Sequence, residues 1–410
     1  MAKGYFVTGL DIGTHTIKAL AAQKHGQEWE VVSYAQMPSF GLRRGAVVNV
    51  DETAKNVQML ISGLQKDCNR RINSIFVNIG GSHLYVMPSD GLISVSRADH
   101  IISQEDIERV LQATKAVNIP LNEEILDVFP REFIIDDQKG IKQPLGLVGV
   151  RLEAKVLLLC YFQSYFINLS QSVLNARLQI DDIIPSPLAA ANAVLTPQQK
   201  ELGVALIDIG AATTSLAVFE EGELIHLAVF PLGSANITND IAIGLKTEVS
   251  VAEDIKKQYG TCMMSSDKDL QPKKKIEVFD KSYSLSFTKR DLVNIIEPRV
   301  SEILDLMQKE LKSIGRQELL PGGIVLTGGG SKLPKIKELA KQQLKLPCQV
   351  GSIKGMVGIE QDPALATVAG LVMGSADIES LGSSAMLGMP MGFVKGLSDR
   401  LKKAFRVFIP

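Results

Sequence analysis

Two segments of this chain resemble each other, and this internal repeat constrains the fold more than any other feature. The first reads FVTGLDIG around Asp11, and the second reads VALIDIG around Asp208. In each, an apolar run leads into Asp-x-Gly, hydroxyl side chains and another β-prone run, which predicts a strand, a tight turn and a second strand. The copies lie about 200 positions apart, which is too far for a solenoid repeat and suits two similar domains.

Composition narrows the class of protein. The 410 residues include 44 Lys+Arg and 45 Asp+Glu, so the net charge is −1 and a polyelectrolyte partner such as DNA is not expected. Hydrophobic residues at 45% and charged residues at 22% exclude a mostly disordered chain. The four cysteines are scattered, which argues against a zinc site or disulfide framework and fits a reducing cytoplasm. Neither a signal peptide nor a transmembrane helix is expected.

Hydrophobic periodicity predicts the elements around the repeats. Helices are predicted over 103–117, with a capping box from Ser103 to Asp106, and over 165–178, 187–195, 235–259, 291–314, 331–342 and 363–374. Strands are predicted over 75–79, 127–135, 148–161, 181–184 and 323–327. Residues 375–391 are rich in Gly, Ser, Met and Pro and are predicted to be a linker.

The Asp-x-Gly turns have the chemistry of a phosphate site. Glycine lets the backbone approach a ligand, and turn N–H groups and Thr hydroxyls donate to phosphate oxygens. Lys18 could add a point charge, and the Asp side chains suit hydrated magnesium. Either motif alone could be a simple β-turn. Two copies facing each other would clamp a triphosphate and its metal between two domains.

Two further segments fit a nucleoside. Strand 323–327 runs into Gly328-Gly329-Gly330, where bare backbone lets a flat ring pack closely, although a flexible turn is the alternative. Glu253 and Lys256 share a helix face and could reach a ribose and adenine. From spacing alone, a solvated ion-paired face is an equally good interpretation.

In this order the motifs resemble those of the actin, Hsp70-chaperone and sugar-kinase ATPase superfamily, and within it the FtsA family of bacterial cell-division actin homologues. The resemblance runs nearly end to end, with its more particular residues at 129–133, 140–142, 146–156, 295–299 and 323–329. It implies an α/β, two-lobed actin-like ATPase fold with an interdomain nucleotide cleft, an inserted FtsA-type subdomain and a C-terminal amphipathic helix.

The resemblance also implies ATP and Mg²⁺ as ligands, together with a division of the chain. The first lobe would comprise residues 1–81, 162–195 and 355–374, the inserted subdomain 82–161, the second lobe 196–240 and 300–354, its subdomain 241–299, the linker 375–391 and the terminal helix 392–410. Phosphate contacts would fall on Gly13, Thr14, Thr16, Lys18, Gly210 and Thr213, nucleoside contacts on Glu253, Lys256, Gly329 and Gly330, and water-mediated magnesium contacts on Asp11 and Asp208.

One departure from the family pattern concerns the second turn. Ala211-Ala212 stand where relatives often have glycines, and their methyl groups restrict φ and could crowd the phosphates. No general base is evident around Ser186, where relatives place a water-orienting residue. We therefore expect at most slow ATP hydrolysis, with ATP controlling lobe closure and polymerisation.

Residues 392–410 have a basic amphipathic pattern. Apolar side chains gather on one arc of a helix and cations on the other, with a local charge of about +4. Such a helix lies in the membrane interface with its cations on anionic headgroups, whereas the alternative is a helix docked on the protein's own core. Membrane contacts are predicted for Phe393, Leu397, Arg400, Leu401, Lys402, Lys403, Phe405, Arg406 and Phe408.

The resemblance also implies partners and a place in the cell. The tail of the tubulin-like protein FtsZ would dock on 241–299, and the candidate contact residues are Lys289, Arg290, Asn294 and Arg299. From sequence alone, the favoured interpretation is that these four are ordinary exposed residues of a helix. Other implied partners are copies of this chain in filaments, anionic phospholipid and later division proteins, at the septum on the cytoplasmic face of the inner membrane. The alternatives are a PilM-like pilus-assembly protein, which normally lacks the basic terminal helix, or another soluble actin-fold ATPase.

Overall fold

The computed structural model describes residues 5–26, 28–264, 275–280 and 283–383. The strands are β1 (Phe6–Ile12), β2 (Thr16–His25), β3 (Glu28–Pro38), β4 (Leu42–Arg43), β5 (Ala46–Val47), β6 (Ser74–Ile79), β7 (Tyr85–Ser94), β8 (Glu123–Ile135), β9 (Gln138–Ile141), β10 (Arg151–Phe162), β11 (Gln179–Pro185), β12 (Val204–Ile209), β13 (Thr214–Glu220), β14 (Glu223–Phe230), β15 (Lys275–Asp280), β16 (Tyr283–Thr288), β17 (Ile324–Thr327), β18 (Cys348–Val350) and β19 (Met356–Val357). The α-helices are α1 (Val50–Cys68), α2 (Gln104–Ala113), α3 (Gln163–Asn175), α4 (Ser186–Val194), α5 (Pro197–Leu202), α6 (Ser234–Leu245), α7 (Val249–Tyr259), α8 (Lys289–Ser313), α9 (Ile336–Leu344) and α10 (Ala366–Ser383).

The first repeat lies at the centre of a six-stranded mixed sheet. The strand order is β11-β6-β1-β2-β3-β19, in which β1 and β2 form an antiparallel hairpin and β6 runs parallel to β1. Leu10, Ile17 and Leu20 of the hairpin are fully buried in the core of this lobe, whereas the outer strand β3 keeps side chains such as Val32 in contact with water. The predicted strand, turn and second strand are confirmed here.

The second repeat starts another mixed sheet, of nine strands. Its order is β18-β17-β12-β13-β14-β7-β10-β8-β9, with β12 and β13 again an antiparallel hairpin and β17 parallel to β12. The sheet passes from β14 to β7 through one residue pair, Ala228 opposite Tyr85. Beyond that pair, β7, β10 and β8 pack on a separate core that includes Leu152, Val156 and Leu158.

Two helices of small residues cross where the sheets meet. A Cβ built on Gly370 of α10 would lie 1.6 Å from the carbonyl oxygen of Ala189 in α4. Because that distance is far inside van der Waals contact, only glycine permits this helix spacing. The close approach supports α10 against both α4 and the β1 side of the first sheet, where Val368 and Leu371 are fully buried.

Three predicted elements differ in the structure. Residues 235–259 form α6 and α7 rather than one helix, because Lys246 caps α6 in the left-handed conformation with φ 53°. The helix predicted from Ser331 begins at Ile336, since Gly329–Lys332 is a 3-10 turn and Lys335 is left-handed. The first residues of the linker predicted over 375–391 are helical instead, since α10 continues to Ser383. Residues 376–381 include the helix formers Ala, Glu and Leu. The capping box of Ser103 and Asp106 is confirmed.

Candidate functional site

A cavity of about 680 Å³ lies between the turns of the two hairpins. Loops from both sheets and the N-terminal part of α6 also reach it, so the two lobes enclose one space. All twelve residues that the sequence analysis assigned to phosphate, nucleoside and metal line this cavity: Asp11, Gly13, Thr14, Thr16, Lys18, Asp208, Gly210, Thr213, Glu253, Lys256, Gly329 and Gly330.

The Asp11 carboxylate is held from two sides. Lys18 lies opposite Asp11 in the β1–β2 pairing, and its Nζ is 2.9 Å from Asp11 Oδ2. Asn78 Nδ2 donates to Asp11 Oδ1 at 2.9 Å and to Ser186 Oγ at 3.0 Å. The Asn78 Oδ1 in turn accepts from the backbone N–H of Ile12 at 2.6 Å. Both carboxylate oxygens therefore have fixed partners within the protein.

The second carboxylate faces the first across the cavity. Desolvation and, next, the negative charge of Asp11 raise the pKa of Asp208 to about 6, whereas Lys18 acts to lower it. In the described part of the chain no three His, Cys, Asp or Glu side chains are grouped closely enough to hold a metal. Two facing carboxylates with open space between them fit Mg²⁺, which keeps most of its waters and takes one or two carboxylates plus phosphate oxygens.

The glycine turn after β17 packs directly on the second hairpin. Gly328 has φ 81°, and a Cβ there would lie 2.2 Å from Asp208 Oδ1, so this position requires glycine. A Cβ on Gly330 would lie 2.4 Å from Ile209 Cγ2, whereas one on Gly329 would meet nothing within 4 Å. Gly329 is therefore the glycine whose missing side chain leaves free space in the cavity rather than relieving a protein contact.

A polar cluster at the α6–α7 pair closes the other end of the cavity. Lys256 Nζ lies 2.6 Å from Glu253 Oε2 and donates to Thr238 Oγ1 at 2.7 Å and to the Ser234 carbonyl at 3.2 Å. The Thr238 hydroxyl in turn donates a hydrogen bond to Glu253 Oε2 at 2.5 Å. Desolvation alone would raise the pKa of Glu253, but the hydrogen bonds from Lys256 and Thr238 lower it to about 2. The carboxylate is thus ionised over the physiological range.

The Ala211-Ala212 turn is accommodated without backbone strain. Neither alanine is among the residues with positive φ. The carbonyls of Gly210 and Ala211 accept from the Ser234 and Ala235 N–H groups at 2.9 and 2.8 Å, which fixes the turn on the start of α6. The predicted restriction of φ therefore costs nothing in this conformation.

Comparison with known proteins places the chain in a family. The model described as "Cell division protein FtsA" matches residues 205–370, and that of the "SHS2 domain inserted in FTSA" matches residues 81–160. The cell division protein FtsA of Pseudomonas aeruginosa is 38% identical over 93% of this chain and 92% of its own. The chain belongs to the FtsA family. FtsA of Bacillus subtilis is 36% identical over 88% of this chain and 82% of its own.

Solved structures place the FtsA-family chain in an actin-like fold. A PilM–PilN type IV pilus biogenesis complex gives a TM-score of 0.65 at 19% identity, covering 90% of this chain and 97% of that one. MreB5 of Spiroplasma citri bound to ADP gives 0.57 at 13% identity, covering 94% and 100%. At these identities the likeness concerns the fold alone, and it confirms the two-lobed α/β expectation.

Several residues of this FtsA-family cleft escaped the sequence analysis. Asn78 joins Asp11 to Ser186, and its only sequence signal is one amide in the otherwise apolar end of a strand. Lys332 and Asp362 pair at 2.6 Å at the edge of the cavity. These two residues are 30 positions apart, and no periodic pattern connects them.

The remaining predicted residues lie elsewhere. The candidates for the FtsZ tail share helix α8: Lys289, Arg290, Asn294 and Arg299. Arg290 and Asn294 are exposed, whereas Arg299 donates twice to Asp240, at 2.6 and 3.0 Å, and also contacts Glu302. Arg299 is therefore already engaged within the protein. The predicted membrane helix at 392–410 and the linker beyond 383 lie outside the described residues. In the described part, no helix is both long and apolar enough to cross a bilayer.

Proposed function

We propose that this protein binds ATP with Mg²⁺ in the cleft, assembles into filaments and tethers the FtsZ ring to the inner face of the cytoplasmic membrane during cell division. The observation that carries the proposal is the convergence of both Asp-x-Gly turns, the glycine turn and the Glu253–Lys256 pair on one cavity of about 680 Å³. That volume suits a nucleotide. Membership of the FtsA family supports the role in division.

Each part of the cavity has a chemical role in this proposal. The backbone and hydroxyls of the two turns, with Lys18, hold the phosphates. Asp11 and Asp208 hold hydrated Mg²⁺, which neutralises charge on the phosphates when bound. Glu253, Lys256 and the bare backbone at Gly329 and Gly330 receive the nucleoside. The division of the chain into two lobes and an insertion, given above, belongs to the same proposal. The separate core under β7, β8 and β10 supports the insertion, whereas the core of the first lobe also takes in Leu206, Ala217 and Val325 of the second lobe.

Slow turnover is the expected catalytic behaviour. The carboxylates of Asp11 and Asp208 are assigned to Mg²⁺ and that of Glu253 to the nucleoside, and Ser186, at the start of α4, is not ionisable near neutral pH and already bonds Asn78 and the Ile79 carbonyl. A carboxylate or histidine that could take a proton from water is the usual general base. We therefore assign ATP the role of closing the lobes and favouring polymers, with FtsZ, lipid and later division proteins as the partners of the polymer.

Two lysines of the same strand provide a matched test of the nucleotide site. Lys18 lines the cavity, whereas Lys24, also on β2, lies over the ring of Trp29. By isothermal titration calorimetry in Mg²⁺ buffer, Lys18→Met should weaken ATP binding about 10- to 100-fold, the value of a charge-assisted hydrogen bond. Lys24→Met should bind ATP as the parent does. Equal affinities of the two variants would contradict the assignment.

Membrane tethering is tested by co-sedimentation with vesicles rich in anionic phospholipid. The full chain should pellet at low salt, pellet more with ATP because polymers bind multivalently, and stay in the supernatant when truncated after Met391. Phe405→Glu should act like the truncation, and Asp399→Asn, which adds to the positive charge, should not. A full chain that remains in the supernatant would favour a soluble actin-fold ATPase or a PilM-like role.

A further inference from the structure

We propose that Asn78 is a positioning residue of the cleft: its amide holds the Asp11 carboxylate in the orientation that metal-bound nucleotide requires. The inference rests on the proposed function, since it concerns how this chain prepares Asp11 for Mg²⁺. It also assigns a purpose to the Nδ2 group of a buried amide whose Oδ1 already accepts the backbone N–H of Ile12.

Asn78 is an unusual residue for its place. It lies near the end of β6, between β1 and β11, and is 4% exposed. The other buried residues of this strand are Ile75, Phe76, Val77 and Ile79. A buried amide costs free energy unless all its polar atoms are paired. Here Oδ1 satisfies the backbone N–H of Ile12, whereas Nδ2 takes no part in the pairing of the sheet and reaches Asp11 and Ser186 instead. The amide therefore needs an explanation beyond packing.

The hydrogen bonds fix which end of the amide faces the cleft. The Ile12 N–H can only donate, so the group 2.6 Å from it must be Oδ1 of Asn78. Nδ2 then points to Asp11 Oδ1 at 2.9 Å and Ser186 Oγ at 3.0 Å, which uses both of its hydrogens. No flipped amide satisfies the same three neighbours. Asn78 thus presents a fixed donor to one oxygen of Asp11.

The two partners of Asp11 differ in what phosphate would do to them. Lys18 is a mobile cation on Oδ2, and a bound triphosphate would attract it. The amide is neutral and enclosed, so phosphate exerts no comparable pull on it. When Lys18 turns to the phosphates, Asn78 keeps Oδ1, and Oδ2 stays directed into the cavity for a hydrated cation. Residues that hold a metal-binding carboxylate in this way commonly change metal affinity about 10- to 100-fold when removed.

The test separates positioning from general support of the fold. ATP affinity of the full chain is measured by calorimetry with excess Mg²⁺ and with EDTA, and the readout is the ratio of the two. In Asn78→Leu the Mg²⁺ enhancement should fall about 10- to 100-fold while affinity in EDTA stays close to the parent value. A residue that only supported the fold would lower both affinities together and leave the ratio unchanged.

Two further variants complete the experiment. Ser186→Ala leaves the Asn78–Asp11 contact in place and should keep the enhancement; an equal loss there would overturn the proposal. In an Asp11→Asn background, Asn78→Leu should have no additional effect on the ratio, because the carboxylate it positions is gone. If Asn78→Leu does not fold, Asn78→Ala leaves room for a water that accepts from Ile12 N–H, and the enhancement should still be lost.

The outcomes distinguish this proposal from the function on which it rests. If the parent protein binds no ATP, the proposed nucleotide site is wrong. If it binds ATP equally with and without Mg²⁺, the metal site on Asp11 and Asp208 is wrong, and the role of Asn78 is wrong with it. If the parent shows the enhancement and Asn78→Leu retains it, the cleft binds metal-bound ATP but Asn78 has no positioning role.

Discussion

The ion pair at the α6–α7 end of the cleft gives a prediction about stability. Lys256 is 8% exposed and has three acceptors, on Glu253, Thr238 and Ser234, within 3.2 Å. Lys256→Met would leave the Glu253 carboxylate, in a largely enclosed site, with only the exposed Lys257 as a cation, 3.4 Å from its Oε1. Removing one member of a buried pair costs about 3–5 kcal/mol, and because Glu253 retains some solvent contact we expect about 2–3 kcal/mol.

The opposite substitution should cost at least as much. In Glu253→Gln the lysine keeps the Thr238 hydroxyl and the Ser234 carbonyl, and the new amide oxygen still accepts, but the enclosed ammonium loses its counter-charge. Because the Lys256 side chain is only 9% exposed, the expected loss is about 3–5 kcal/mol. Urea denaturation of the nucleotide-free protein, followed by circular dichroism, measures both values. A smaller loss for Glu253→Gln than for Lys256→Met would refute the reasoning, because the more enclosed charge should be the costlier one to leave unpaired.

The pH dependence checks the same mechanism independently. The pKa of Glu253 is about 2 in the folded protein and 4.5 for the ordinary group, so the unfolded chain binds the proton first. The stabilisation is therefore fully present above about pH 4.5 and is lost as the pH falls toward 2. Without Lys256 the pKa of Glu253 is lowered less, because only Thr238 and Lys257 still stabilise the carboxylate. The difference in unfolding free energy between parent and Lys256→Met should accordingly shrink as the pH is lowered through that range.

Three glycine substitutions extend the predictions to the fold and the cleft. Gly370→Ala forces α10 away from Ala189 and should destabilise the protein by at least about 2 kcal/mol. Its control is Gly63→Ala in α1, where a Cβ meets nothing within 4 Å, and this variant should be more stable by about 0.5–1 kcal/mol. Thermal unfolding measures both changes. Gly328→Ala brings a methyl group against Asp208 Oδ1 and should abolish measurable ATP binding by calorimetry, a result that a variant with parental affinity would contradict.

Local sequence patterns were sufficient to predict the two hairpins and twelve of the residues that line the cleft. Each Asp-x-Gly turn is encoded within a few consecutive residues, and strand pairing fixes where its side chains point. The predicted helix boundaries were wrong where the backbone conformation of a single residue ends or begins the helix. Lys246 and Lys335 adopt positive φ although neither is glycine or asparagine, the residues that usually signal such a stop. Pro334 directly precedes Lys335, but proline also suits the first turn of a helix, so it did not fix the boundary.

The contacts between distant segments were beyond sequence reasoning. Asn78 is separated by 67 positions from Asp11 and by 108 from Ser186, and Asp240 by 59 from Arg299. Such pairs are set by how the sheets and helices pack, and the partner of a polar residue in an apolar strand cannot be predicted from the local sequence. The sequence placed Arg299 on an open helix face, whereas packing gives it an ion pair with Asp240.

The charges of the cleft explain why nucleotide and metal should bind together. Each of the four lysines that line the described cavity is already paired: Lys18 with Asp11, Lys256 and Lys257 with Glu253, and Lys332 with Asp362. If a phosphate draws Lys18 away, Asp11 faces Asp208 without a cation. The two carboxylates then repel each other, and burial strengthens that repulsion. A divalent cation arriving with the phosphate removes that penalty, because it replaces the lysine between the carboxylates. Free ATP would bind without this compensation, so the proposed preference for metal-bound ATP follows from ion pairing within the cleft as much as from contacts to the ligand.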